Sequence, residues 1–260
     1  MYETIKIERD ARGVAELILA RPEKHNAMSA QMIREIRAAA IELGDDASVR
    51  VVVLRAEGKS FCAGGDLRWM QDQMAADRAT RAREARSIAD MLGALNSLPK
   101  PLIGRLQGNA IGGGVGMACV CDIAIADEGA KFGLTETRLG LIPATIGPYV
   151  LARMGEANAR RVFMNSRVFK ADEAVALGII ARAVKTEDLD AAVEAEVLPY
   201  LSCAPGAVAA AKALARKLGA DVGEAQIAHS VKVLIEQWEG EEAGAGIAAF
   251  FAKEAPPWVG

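Results

Sequence analysis

Two glycine clusters in the first half of the chain constrain its folding more than any other feature. One lies in residues 57–67, EGKSFCAGGDL, and the other in residues 107–121, QGNAIGGGVGMACVC. Glycine puts no side chain between backbone and ligand. It also adopts positive φ, so nearby N–H groups can point where an ordinary turn would not aim them. Each cluster follows a predicted strand and leads into a predicted helix. Paired donors of this kind suit a substrate oxygen that gains negative charge. Tight turns and close helix packing would use the same residues, so spacing alone leaves both readings open.

The surrounding pattern predicts an α/β core. Strands at 2–8 and 14–20 are joined by a turn at 10–13. Ser29 caps a helix in which Ile33, Ile36, Ala40 and Leu43 recur at helical spacing. Residues 49–54 are Val-rich and, Arg50 apart, apolar, as in a strand buried on both faces. A polar stretch at 71–86 leads into a helix carrying Ile88, Met91, Leu92 and Leu95, which Pro99 and Pro101 stop. A strand at 102–106, the second glycine cluster, a short helix and a strand at 122–126 follow. From residue 146 the pattern turns helical, with segments at 172–177, 189–201, 206–218, 223–238 and 246–253 and a single strand at 179–184. The expected organisation is a core at 1–195 and a helical region at 196–260, forming one functional unit.

Composition removes several classes of function. The 31 Lys and Arg against 34 Asp and Glu leave a net charge of −3, which gives no electrostatic reason to expect nucleic acid as the main partner. Four scattered cysteines fit a reducing compartment. The opening MYETIKIERD is charged and alternating, unlike a signal peptide, and no apolar run approaches the ~20 residues of a membrane span. A cytoplasmic protein is expected.

Motif tests narrow the chemistry further. Gly58-Lys59-Ser60 resembles the end of a P-loop, but Val53 stands where that motif needs glycine. A G-x-G-x-x-G frame started at Gly112 ends on Met117, and one started at Gly114 ends on Cys119, so neither is a dinucleotide fingerprint. Cys119 and Cys121 have only His25 and His229 as imidazole partners, and core packing is expected instead of a metal site. A Ser-His-Asp arrangement lacks a nucleophile elbow. Carboxylates and backbone donors remain as the chemical equipment.

The two clusters, in this order and separation, resemble the enoyl-CoA hydratase/isomerase (crotonase) family. The resemblance runs from LARPEKHNAM at 19–28 through FCAGGDL, GNAIGGGVGMACVCDIAIA and KFGLTETRLGLIP to ADEAVALGIIARA and GIAAFFAK near the carboxyl end. It implies a spiral of ββα units with two near-perpendicular sheets and a carboxyl-terminal helical region that mediates trimer or hexamer formation. It also implies acyl-CoA thioester substrates, with no cofactor beyond the coenzyme A that the substrate carries. Two backbone N–H groups would stabilise the enolate-like oxygen. By the family motifs these belong to Gly65 and Gly113.

Other site residues follow from the same resemblance. Contacts to coenzyme A fall on Lys24, His25, Ala63, Gly65 and Leu67, with Arg68 available to phosphate. Phe250 and Lys253 match positions that reach the nucleotide from a neighbouring subunit. Of the two glutamates of family hydratases, the second matches Glu136; the first falls on Gly116. That departure questions a two-glutamate mechanism, and Gly116 is expected to leave room for water or a distal acyl carboxylate. GGGVG together with ETRLGLIPATIGPYV is most similar to methylglutaconyl- and isohexenylglutaconyl-CoA hydratases. Isomerases of the family work with one carboxylate at the Glu136 position. An RNA-binding role would use the arginines of residues 77–86, DRATRAREAR.

Overall fold

The computed structural model describes residues 2–220 and 222–259. Ten strands among these residues divide between two sheets. The larger contains β1 (Ile5–Arg9), β2 (Val14–Leu19), β3 (Val51–Ala56), β5 (Leu102–Leu106), β7 (Ile123–Asp127) and β10 (Arg182–Val184), in the order β1-β2-β3-β5-β7-β10. Only β1 and β2 pair antiparallel; the others run parallel. The smaller sheet has the order β4-β6-β8-β9, from β4 (Ser60–Cys62), β6 (Asn109–Ile111), β8 (Lys131–Gly133) and β9 (Val168–Lys170). Its first three strands are parallel, and β9 closes it antiparallel to β8.

The chain therefore repeats one move three times. Strands β3, β5 and β7 each enter the large sheet, and the strand that follows each one enters the small sheet. Residues 51–54 of β3 are buried, as their continuous apolar run requires in a sheet covered on both faces. The first covering helix is α1 (Ala30–Asp45), whose Met32 N–H donates to the Ser29 hydroxyl at 3.2 Å. Its Ile33, Ile36, Ala40 and Leu43 all face the main core.

The other helices are α2 (Leu67–Ala75), α3 (Arg78–Ser97), α4 (Gly113–Val120), α5 (Gly147–Met154), α6 (Glu156–Phe163), α7 (Ala171–Ala176), α8 (Leu189–Leu201), α9 (Pro205–Leu218), α10 (Glu224–Glu239) and α11 (Glu241–Ala252). Three expectations need correction. The polar stretch after the first glycine cluster is itself helical, because Asp66 and Asp77 cap α2 and α3 through the N–H groups of Arg68 and Thr80. The strand expected at 179–184 shortens to β10, since Gly178 turns the chain at φ +79° and only three residues pair with β7. The last helix starts five residues earlier than expected, at Glu241.

A second buried cluster joins Met70 of α2 and Ala85 of α3 to Leu141, Ala144, Leu234 and Trp238. It seats the carboxyl-terminal helices on the core beside the small sheet. No single helix among the described residues is long and apolar enough to cross a membrane.

Candidate active site

Because β4, β6 and β8 are parallel neighbours, their carboxyl ends open on the same edge. Residues 63–65 leave β4 there, Gly112 and Gly113 leave β6, and residues 134–136 leave β8. These three exits form one wall of a cavity of about 630 Å3, to which Gly65, Gly113 and Glu136 all contribute. Met28, Ile88 and Ile146 supply apolar surface elsewhere in it.

Positive φ occurs one residue before each expected donor, at Gly64 (+93°) and Gly112 (+51°). Gly65 forms an isolated bridge with Met28. Met28 N–H donates to Gly64 carbonyl at 2.7 Å, and Asp66 N–H to Met28 carbonyl at 3.0 Å. Those bonds leave Gly65's own N–H outside the ladder. Gly112 N–H is tied to Gly133 carbonyl at 2.8 Å, while Gly113 begins α4. Neither Gly65 N–H nor Gly113 N–H finds an acceptor among the described residues. At Gly113 this is the ordinary condition of a helix's first turn, where the dipole also favours negative charge.

Asp66 fastens the first loop. It caps α2 through Arg68 N–H at 2.9 Å and accepts from Arg21 at 2.9 Å, and the same guanidinium donates to Ala27 carbonyl at 2.8 Å. Burial pushes the Asp66 carboxyl up, but the Arg21 and backbone hydrogen bonds outweigh it and hold it below the usual carboxylate range.

Glu136 opens a short 3-10 helix, Glu136–Leu139, closed by Gly140 at φ +71°. The residue is half-buried, yet its Oε2 is out of contact with solvent and has no hydrogen-bond partner among the described residues. Its Oε1 lies against Gly112, where a Cβ would stand 3.0 Å away. Desolvation pushes the carboxyl up to about 7, against a smaller downward pull from its own backbone N–H. A carboxyl with that proton affinity can both accept and return a proton near neutral pH.

Gly116 corrects an expectation. It is buried in α4 and does not line the cavity. A Cβ there would stand 2.8 Å from Ile146 Cγ2, 3.0 Å from Ile146 Cβ and 3.4 Å from Leu92 Cδ1. The room expected for water or a distal carboxylate is therefore filled by Ile146, whose close seat on α4 only glycine permits.

The expected coenzyme A contacts separate into two groups. Ala63, Gly65, Leu67, Phe250 and Lys253 line the cavity, whereas Lys24, His25 and Arg68 are exposed outside it. His25 still abuts the same loop, since its carbonyl accepts Ala63 N–H at 3.0 Å and its Nδ1 lies 3.2 Å from Ser60 Oγ. Phe250 and Lys253 border this chain's cavity, where α11 folds back onto the turn bearing Glu136. Sequence reasoning missed Ile146, Met28, Trp69 and Arg138 as lining residues. Met28 and Ile146 lay inside the motifs that carry the resemblance, but only the fold shows what they face.

Fold and cavity together define an α/β protein that sets two backbone N–H groups and a buried carboxyl group of raised proton affinity on one cavity wall. The family model for enoyl-CoA hydratase/isomerase matches residues 9–260. A Mycobacterium tuberculosis protein named "Probable enoyl-CoA hydratase echA8" is 34% identical over 264 residues, covering 99% of this chain and 98% of its own. An enoyl-CoA hydratase crystal structure from Shewanella pealeana superposes with a TM-score of 0.82 at 36% identity, covering 99% of this chain and 97% of that one. Pseudomonas aeruginosa AtuE gives a TM-score of 0.79 at 37% identity, covering 99% and 100%. The chain belongs to the enoyl-CoA hydratase/isomerase family and has its crotonase fold.

Proposed function

We propose that the protein adds water to the double bond of a branched glutaconyl-type enoyl-CoA thioester, or removes it in the reverse direction. The observation that carries this reading is Glu136: an unpartnered buried oxygen, proton affinity near neutrality, and a place beside the backbone donors. Water attacks the β carbon and gives its proton to Glu136. The π electrons move toward the thioester oxygen, where the N–H groups of Gly65 and Gly113 receive the developing charge. Glu136 then returns the proton to the α carbon. Charge reaches that oxygen only as the enolate forms, so fixed donors favour the transition state over the substrate.

The branched glutaconyl class is supported by the likeness at GGGVG and ETRLGLIPATIGPYV and by the cavity walls. Apolar Ile146, Ile88 and Met28 suit a branched chain, and Arg138 offers a cation to a distal carboxylate. Thr145 and Ser166 put hydroxyls on the walls for the attacking water.

One observation favours a second reading. Ile146 occupies the place of a first carboxylate, and a 1,3-proton shift needs only one group, used twice. In that reading Glu136 takes a proton from the α carbon of a 3-enoyl-CoA and returns it to the γ carbon. The arginine run gives RNA binding little support. Arg78 pairs with Glu239 and Arg86 with Asp90 and Glu224, while Arg81 binds the Gln73 and Met74 carbonyls.

A mass-resolved screen of 3-methylglutaconyl-, crotonyl- and 3-enoyl-CoA separates the two chemistries. Hydration adds the mass of water, whereas isomerisation leaves mass unchanged. The expected result is hydration of the branched glutaconyl thioester with much weaker action on crotonyl-CoA. Mass-neutral conversion of 3-enoyl-CoA, with no hydrate from any glutaconyl thioester, would establish the isomerase.

A further inference from the structure

The turn that carries Glu136 is gripped from outside by α11 through two glycines, one on each partner. Gly140 ends the Glu136–Leu139 turn, and its N–H bonds back to the Glu136 and Thr137 carbonyls. A Cβ on Gly140 would overlap the carbonyl of Glu242 and stand 2.7 Å from the N of Ala243, in the first turn of α11. In the opposite direction, a Cβ on Gly246 would stand 2.6 Å from the Leu139 carbonyl carbon, 2.7 Å from its oxygen and 2.8 Å from Trp258 Cη2. On the side facing the catalytic turn these obstacles are backbone atoms, which cannot swing aside as the end of a flexible side chain can. Two separate backbone-to-backbone approaches thus fix the distance between α11 and the turn. The same helix carries Phe250, and Lys253 and Glu254 just beyond it, along the cavity wall.

We infer that Gly140 and Gly246 are positioning residues for the reaction: their mutual clasp sets where Glu136 stands and keeps water from its buried oxygen. The inference rests on the acid/base role proposed for Glu136. Spreading the clasp by the width of a methyl group would shift the carboxyl relative to Gly112 and Gly113. Misplacements near 1 Å can cost ~100-fold in rate. It would also admit solvent. Arg138 on its own turn and Lys253 and Glu254 beyond the end of α11 share the cavity with Glu136, and Glu242 of α11 lies against Gly140. Burial, and none of these charges, raises its proton affinity, so water entry should lower it.

The decisive comparison is Gly246→Ala with Gly244→Ala, assayed on the enoyl-CoA thioester that the screen finds turned over fastest. Both changes add one methyl to α11, but nothing lies within 4 Å of a Cβ at Gly244. Gly246→Ala should lower kcat by at least ~10-fold, within the range expected for misplacement of a reacting group. It should also move the acidic limb of the kcat/KM profile from near pH 7 toward the ordinary carboxylate range of about 4 to 5. Gly244→Ala should change neither. If Gly246→Ala fails to fold, the same change combined with Trp258→Ala removes the side-chain overlap, leaves the backbone one with Leu139, and should move the limb in the same direction. Wild-type kcat and an unmoved limb in a folded clasp variant, alongside an inactive Glu136→Gln, would overturn the clasp and leave the catalytic assignment standing. A fully active Glu136→Gln would remove the role on which the inference depends.

Discussion

Replacing Glu136 with Gln should reveal how much stability the protein gives up to keep this carboxyl ready for proton transfer. Burial raises its pKa from 4.5 to about 7, so the native state holds its proton over a range in which the unfolded chain has lost it. In that window the native state binds more protons, and unfolding free energy falls as pH rises. At about 1.4 kcal/mol per pH unit, the loss reaches about 3 kcal/mol once pH exceeds 7. Below pH 4.5 both states are protonated and the loss disappears. Glutamine keeps the shape and polarity but does not titrate, so any constant cost of burying an amide cancels in the pH dependence. At 2–4 °C for each kcal/mol, typical of chains of roughly this size, the Gln variant should gain about 6–12 °C in Tm over wild type between pH 4.5 and pH 8. Paired thermal unfolding across that range measures the change, and kcat should fall at least ~100-fold. A Tm difference that does not vary with pH would refute the desolvated carboxyl. Near-wild-type turnover by the folded variant would refute its role in catalysis.

Three further outcomes follow from the packing. Gly116→Glu alone should lose at least ~3 kcal/mol of stability, combining overpacking against Ile146 with burial of an unpaired carboxylate, and should gain no crotonyl-CoA hydration; the double change with Ile146→Ala makes room and should gain it, as thermal unfolding and a hydration assay would show. Gly113→Ala keeps the N–H, but its methyl would overlap Met28 Cε, so kcat should drop at least ~10-fold and recover in part when Met28→Ala is added; full activity in Gly113→Ala alone would mean the thioether is not fixed there. Arg21→Ala leaves the buried Asp66 without its cation and should cost about 2 kcal/mol in denaturant unfolding near neutral pH; because the Asp66 pKa lies below its ordinary value, this penalty should fade as pH falls below about 4, and a penalty unchanged at low pH would contradict the pairing.

The sequence by itself determined five of the six strands of the large sheet and the first helix that covers it. Val-rich and alternating runs specified β1, β2, β3, β5 and β7, while Ser29 and the spacing of Ile33 to Leu43 specified α1. The glycine clusters marked two cavity-lining loops, and TETRLG marked the carboxylate that lies beside them. In these places the signal is local: a periodicity, a cap, or a residue that one backbone conformation requires. The small sheet left no such trace. Strands β4, β6, β8 and β9 have three residues each, too short for alternation to register, and their pairing joins residues as far apart as Ser60 and Asn109. Yet that sheet brings Gly65, Gly113 and Glu136 to one edge, so only tertiary structure decided that they share a cavity.

Tertiary structure also decided what surrounds them. Gly116 reads as an empty place until Ile146, thirty residues later, is seen to fill it. Phe250 and Lys253 lie more than a hundred residues beyond Glu136, and only the fold of α11 back against Gly140 brings them to the same cavity. The physical reason is the same in each case. A residue's type states which contacts it can tolerate, while the atoms that supply those contacts arrive from distant segments of the chain, placed by the packing of the whole core.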